Sequence, residues 1–384
     1  MQRSRLRFVN AIKSEASRKT YNFYLNKFLK WSKIKEPNGL LQLKESFLQE
    51  VLEDYLFDLK KKNTNPNSFN LHFAPIELFL IMNDKMVNFK KIRKMFPEKI
   101  KVTGSEAYSN EDVRTMLEYA KKPRLKAEIH ILASTGCRIG ALSELQIKHV
   151  RDMEDCKAIQ FYPDSKSEYW GFLTPEAGKA LNVYITKRQN DGEIITPNSP
   201  LLRKAYRFGR AKAFPVGTDG LQREIMKVAK LIKREKRGFR YNKQVDHGFR
   251  KRFDTILKNN RATNLSLAEK LMSHSTKTIP LDTTYHSPDL ITLFDEFKKH
   301  MPNLTIDPTE RLKVEKERLQ GELSEKDILK QELKIQRQEI DMLKELHHQH
   351  VSLIKAIRED PEFAKGLRDA LLTMKSEEGK ISVY

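Results

Sequence analysis

One tyrosine, two histidines and two arginines stand in a fixed order in the second half of this sequence. Arg138 closes Thr135-Gly136-Cys137-Arg138, His247 and Arg250 share Asp246-His247-Gly248-Phe249-Arg250, His274 follows Leu271-Met272-Ser273, and Tyr285 ends Leu281-Asp282-Thr283-Thr284-Tyr285. A phenolic oxygen can attack phosphorus, and cations around it can neutralise the charge that builds on the phosphate oxygens. Free tyrosine titrates near pH ~10, so it must lose its proton during attack, and His247 is the candidate base. Each cluster alone has an ordinary reading: an Arg salt-bridged at a helix start, a surface His-Arg pair, a core tyrosine. The ordered set is what points to phosphoryl transfer.

These residues need particular elements to hold them. The i, i+3 spacing puts His247 and Arg250 on one helical face, with Phe249 and Phe253 as core anchors. Gly136 permits a tight turn just before Arg138, and a helix start there would aim its dipole at an anion. Strand-like stretches at 149–153, 158–162 and 169–173 flank the turn Asp164-Ser165-Lys166-Ser167-Glu168, which presents Lys166. Thr174-Pro175 opens the next helix, and a strongly basic helix is expected over 222–236.

Upstream, apolar residues at three- and four-residue intervals predict an all-α module of three or four helices. One is capped by Ser17 and others cover about 45–61 and 69–82. The pattern breaks from Lys90 to Ala107, and a new helix starts at Ser109. The expected organisation is a helical module at 1–95, a linker at 96–107, a second domain at 108–304 and a tail at 305–384. The expected fold class is mainly α with a small β-sheet and a long C-terminal helix or coiled coil. In the tail, Leu312, Leu319, Leu333 and Ile340 share one heptad position and Leu329 and Leu343 the other. Glu315, Glu322, Lys326, Gln336 and His347 interrupt that seam, so an imperfect coiled coil and a single long surface helix both fit.

Charge narrows the function. The chain of 384 residues carries a net charge of +21. The surplus lies before residue 305, where 57 basic residues face 34 acidic ones; the tail holds 15 and 17. A body this basic suits a polyanion, most commonly nucleic acid, bound in a salt-dependent way. Cys137 and Cys156 have no metal-ligand spacing and are expected to be reduced thiols. No apolar run approaches a membrane span and the N-terminus lacks a secretory pattern, so an intracellular location is expected.

With the clusters in view, the chain resembles the tyrosine recombinase family, which includes phage-type integrases and Xer-type resolvases, over about residues 10–300; this implies that 1–95 is a helical core-binding (DNA-binding) domain and 108–304 the catalytic domain. Thr-Gly-Cys-Arg-Ile-Gly-Ala-Leu-Ser-Glu-Leu is similar to the family's T-G-x-R-x-x-E-L box, with Glu144 one place further on. His247 and Arg250 match H-x-x-R. Met272-Ser273-His274 stands where the family has L-G-H, and Tyr285 follows 11 residues later, about two more than expected, with Ile279-Pro280-Leu281 able to account for the excess.

The resemblance implies that Tyr285 is the nucleophile, that Arg138, Arg250 and His274 bind the non-bridging oxygens, and that Lys166 protonates the departing 5′ oxygen. Lys157 and Lys179 are alternatives for that last role, and His286 is a neighbour of the nucleophile without an essential one. It further implies a site-specific recombinase that cleaves and rejoins DNA through a 3′-phosphotyrosyl linkage, with no metal, ATP or other cofactor. Its partners would be double-stranded DNA with inverted-repeat half-sites and further copies of itself, a homotetramer on two duplexes. Its setting would be the nucleoid of a prokaryote or the cycle of a virus. Type IB topoisomerase-like relaxation, or a non-catalytic DNA-binding regulator on the same scaffold, are the alternative functions.

Overall fold

The computed structural model describes residues 2–100, 105–206, 213–273, 287–362, 365–366 and 368. The chain is mainly α-helical with a small sheet, and it divides into two structural units. One comprises Met1–Ala107 with Lys233–Gly248; the other comprises Tyr108–Ile232 with Phe249–Tyr384. Among the described residues no helix is long and apolar enough to cross a membrane.

The first unit is built on α1 (Arg3–Asn10), α2 (Glu15–Ser32), α3 (Asn38–Gln42), α4 (Glu45–Lys61), α5 (Phe69–Ile81) and α6 (Phe89–Lys94). That is more than the three or four expected, because α1, α3 and α6 are short and carry too few residues to show a period. α2 is capped by Ser14, whose hydroxyl accepts from the Ser17 amide at 3.1 Å, so the helix starts earlier than the expected Ser17 cap. α6 occupies part of the stretch read as patternless. The Asn88 side chain caps it, and Phe89 and Ile92 bury an apolar edge beneath its lysines. The core gathers Phe8, Phe28, Leu52, Tyr55, Leu56, Phe73, Ile76 and Phe79. Inside it His72 and the Tyr55 hydroxyl form a 2.8 Å hydrogen bond, and burial lowers the His72 pKa to about 4.

The segment 233–248 returns to this unit. The Glu106 amide donates to the Asn242 carbonyl at 2.8 Å, and the Asn242 side-chain amide donates back to the Glu106 carboxylate at 3.0 Å. A two-stranded ribbon, β4 (Lys236–Arg237) and β5 (Arg240–Tyr241), turns at Gly238 with φ +60°. The basic helix expected over 222–236 is instead α11 (Thr218–Ala229), which ends before this ribbon begins.

In the second unit, α7 (Asn110–Tyr119) starts at the predicted Ser109 with a full capping box to Asp112. α8 (Pro123–Thr135) is buried along most of its length, and α9 (Ile139–Leu142) follows after the turn at Gly136. Strands β1 (Val150–Met153), β2 (Cys156–Phe161) and β3 (Tyr169–Leu173) form an antiparallel meander, with Ile159 opposite Gly171 and Phe161 opposite Tyr169. Thr174 caps α10 (Pro175–Asn190) as expected. α12 (His247–Asn259), α13 (Leu265–Leu271), α14 (Leu290–Lys298) and α15 (Met301–Leu304) complete the body. Phe172 of β3, Phe253 and Leu257 of α12, Leu271 of α13 and Phe294 and Phe297 of α14 share one core cluster.

The last element, α16 (Pro308–Glu359), is a single helix about 78 Å long. Its first turns are anchored: the Glu176 carboxylate accepts from the Ile306 and Asp307 amides at 2.6 and 3.0 Å, Lys179 pairs with Glu310 at 3.0 Å, and Val314 is buried. From Glu317 to Lys355 every residue is exposed.

Candidate active site

Arg138 and Arg250 are brought together across 112 residues of chain by α8, its C-terminal turn and α12. The turn is fixed by local chemistry. Gly136 has φ +58°, and a Cβ there would sit 2.6 Å from Phe253 Cβ, so both backbone and packing demand glycine. The Thr135 hydroxyl donates to the Ile131 carbonyl at 2.8 Å and accepts from the Cys137 amide at 3.2 Å. The Ser134 hydroxyl ties the same helix end to β3, donating to the Phe172 carbonyl at 3.0 Å.

Arg250 reaches this turn from α12. Its Nη1 donates to the Gly136 carbonyl at 2.9 Å and its Nη2 to the Met272 carbonyl, so one guanidinium clamps the end of α8 to the end of α13. Both bonds go to neutral carbonyls. Burial, and then the Arg138 charge, lower the Arg250 pKa while Tyr169, Cys137 and Asp254 pull the other way, and the guanidinium stays protonated without an ion pair among the described residues. Arg138 is exposed at the N-cap of α9 and makes no ion pair among the described residues. α9 is only 4 residues long, so its dipole adds little and the guanidinia themselves dominate the field. Cys137 between them is buried with its thiol pushed up to about 12 by desolvation, so it supplies no counter-charge.

The hairpin carrying Lys166 stands beside this pair. Tyr162 and Tyr169, which flank the turn, lie within electrostatic reach of both arginines; burial raises both phenols while the two guanidinia pull the other way. The Tyr169 hydroxyl is buried with no hydrogen-bond partner among the described residues. The turn is braced by Glu168, which accepts from the Asp164 amide at 2.8 Å and from Gln160 at 2.8 Å. Tyr162 and Asp164 adopt φ +49° and +60°. Lys166 is left exposed at the tip without an ion pair among the described residues. Of the alternatives, Lys157 is paired with Asp152 and Lys179 with Glu310.

His247 is the exposed first residue of α12, one turn before Arg250. His274, Tyr285 and the neighbouring His286 lie outside the described residues. The residue before His274 is described: Ser273 has φ +49°, the left-handed region that favours glycine.

Sequence reasoning missed Tyr162 and Tyr169, whose only signal was their position as aromatic bookends of the turn. It also missed Arg252, which looks like one more base in a basic helix. Arg252 is buried, with bonds to Asn110 and to the carbonyls of Ala133, Asn303 and Leu304, and it stitches α7, α8 and α15 to α12.

Solved structures similar to this chain include XerA recombinase (20% identity, covering 77% of this chain and 97% of that one, TM-score 0.37), XerH site-specific recombinase bound to difH substrate (19%, 71% and 77%, 0.45), and a lambda integrase(75-356) dimer bound to a COC′ core site (13%, 74% and 95%, 0.49). No curated protein matches the chain. Residues 107–286 match the model of the phage integrase family, and this stretch contains the paired arginines, the braced hairpin and all the other expected site residues.

Proposed function

We propose that the protein is a site-specific DNA recombinase that cuts and rejoins strands through Tyr285. The observation that carries this reading is the Arg138–Arg250 pair. It sets two guanidinia at one helix end, fixes one of them with backbone carbonyls, and leaves both without an ion pair among the described residues; Asp254, which acts on Arg250, is itself paired with Lys258. Such a pair is suited to a phosphodiester, which supplies one negative charge in the ground state and more in the transition state.

In the proposed reaction the Tyr285 oxygen attacks the phosphorus as its proton passes to His247. Arg138, Arg250 and His274 hold the non-bridging oxygens. The bond to the 5′ oxygen breaks and Lys166 delivers a proton to that oxygen. The 3′-phosphotyrosyl linkage retains the energy of the original phosphodiester, so attack by a 5′ hydroxyl reverses each step and joins a strand without ATP. None of these roles requires a metal. The basic body would hold duplex DNA, with inverted-repeat half-sites and four copies on two duplexes as the recombining assembly.

The test is a suicide substrate carrying a nick near the cleavage point. Wild-type protein should accumulate a covalent protein–DNA adduct, with or without EDTA, and Tyr285→Phe should bind the same DNA without forming it. Adducts that persist in Tyr285→Phe would move the nucleophile elsewhere, Tyr241 first.

A further inference from the structure

We propose that α16 is one strand of a parallel, in-register coiled coil formed with a second copy of this chain, an association independent of the catalytic reading. Beyond Val314 the helix exposes an apolar stripe, interrupted at Glu322, Lys326, Gln336 and His347, in which Leu329, Leu333, Ile340 and Leu343 are each more than half accessible. With Leu312 taken as position a of a heptad, Leu319, Leu333, Ile340 and Ile354 fall at a, and Leu329 and Leu343 at d.

The flanking charges select the occupant and its direction. Positions g of three consecutive heptads are Glu325, Glu332 and Glu339; positions e of the heptads that follow each are Lys330, Arg337 and Lys344. In a parallel pair each g residue faces the e residue five places further along the partner, which gives three Glu-to-base pairs from each side. An antiparallel pair would set glutamates against glutamates and bases against bases.

The acids have no use for this spacing in a lone helix. Stabilising intrahelical pairs lie three or four residues apart, and those places after the three glutamates hold Ile328 and Leu329, Ile335 and Gln336, and Met342 and Leu343. Among the described residues none of the three makes an ion pair, whereas Lys330 and Lys344 reach only Asp327 at 3.8 Å and Asp341 at 3.4 Å. Lys326 at a and Gln336 at d are polar layers of the kind that fix register and strand number at some cost in stability.

The test uses the full chain without DNA. Sedimentation equilibrium at about 10 μM should find a dimer, and E325K/E332K/E339K should weaken it at least ~100-fold, since six attractive contacts become repulsive. K330E/R337E/K344E should be equally weakened, and the two triple variants mixed should form a 1:1 heterodimer. Leu333→Cys should crosslink to itself on mild oxidation, as a parallel register requires. All six substitutions sit on exposed positions, so helix content by circular dichroism should be unchanged. A wild-type monomer at ~100 μM, a dimer indifferent to the charge reversals, or no heterodimer from the mixture would overturn the proposal.

Discussion

Two regions of the second unit bury arginines, and they do so in opposite ways. At the end of α10, fully buried Arg188 meets Glu193 at 3.0 and 2.6 Å and donates to the Pro200 and Leu201 carbonyls, while Arg203 pairs with the same Glu193 and with Asp191 at 2.9 Å. Two bases and two acids close that network. At the end of α8, Arg250 has the carbonyls but no ion pair among the described residues, and the Arg138 charge acts on it more strongly than the Asp254 carboxylate does. Carbonyl ties fix where a guanidinium sits without cancelling its charge. The first region is built to hold the fold, and the second keeps charge available for an anion.

The sharpest way to break this comparison is to remove one cation from each region. Arg188→Ala removes one of the two partners of buried Glu193, leaving it Arg203 alone, and should cost about 3 kcal/mol of unfolding free energy by urea titration. Strand cleavage per folded molecule should change little. Arg138→Ala should do the reverse: the side chain is exposed and unpaired, so the urea midpoint should stay put while single-turnover cleavage falls by roughly 10²–10³. Equal losses of stability in both variants would erase the distinction.

A buried acid tests the same logic from the other side, because a carboxyl can take up a proton where a guanidinium cannot give one up. Glu128 of α8 is fully buried, and neither carboxylate oxygen has a hydrogen-bond partner among the described residues. Burial pushes its pKa up to about 8, against an opposing pull from Arg124. The folded protein therefore holds a proton that the unfolded chain releases near pH ~4.5, so stability falls as pH rises from there to about 8. Near neutrality the penalty is on the order of 3 kcal/mol. Glu128→Gln should match wild type near pH ~5 and exceed it by that order near pH ~8; parallel pH profiles for the two proteins would refute the assignment.

The smallest expected effect lies where Arg250 grips the chain before His274. Ser273 holds φ +49° without being glycine, so Ser273→Gly should raise stability by about 0.5–1 kcal/mol. A lower melting temperature in that variant would mean the serine makes a compensating contact.

Much of the frame was legible locally. Ser109 and Thr174 announced the starts of α7 and α10, because a cap is written in three or four adjacent residues. The strand-like run after the Asp164–Glu168 turn located β3 to the residue, and the His247–Arg250 spacing put both on α12. The heptad stripe and the charges flanking it were likewise present in the sequence, since a helix's faces follow from its period alone.

What the sequence could not supply depends on where the chain returns to. Nothing near Arg250 indicates that its partners are Gly136, 114 residues away, and Met272, 22 away, or that Arg252 two places on is a buried stitch and not one more surface base. The return of 233–248 to Glu106 was equally hidden, because a strand pair is encoded by two distant segments and neither names the other. The residue types and spacings by themselves singled out the groups proposed to meet a phosphate. Only the tertiary structure decided which arginine keeps its charge free for one, because that depends on whether packing brings it a carboxylate or a carbonyl.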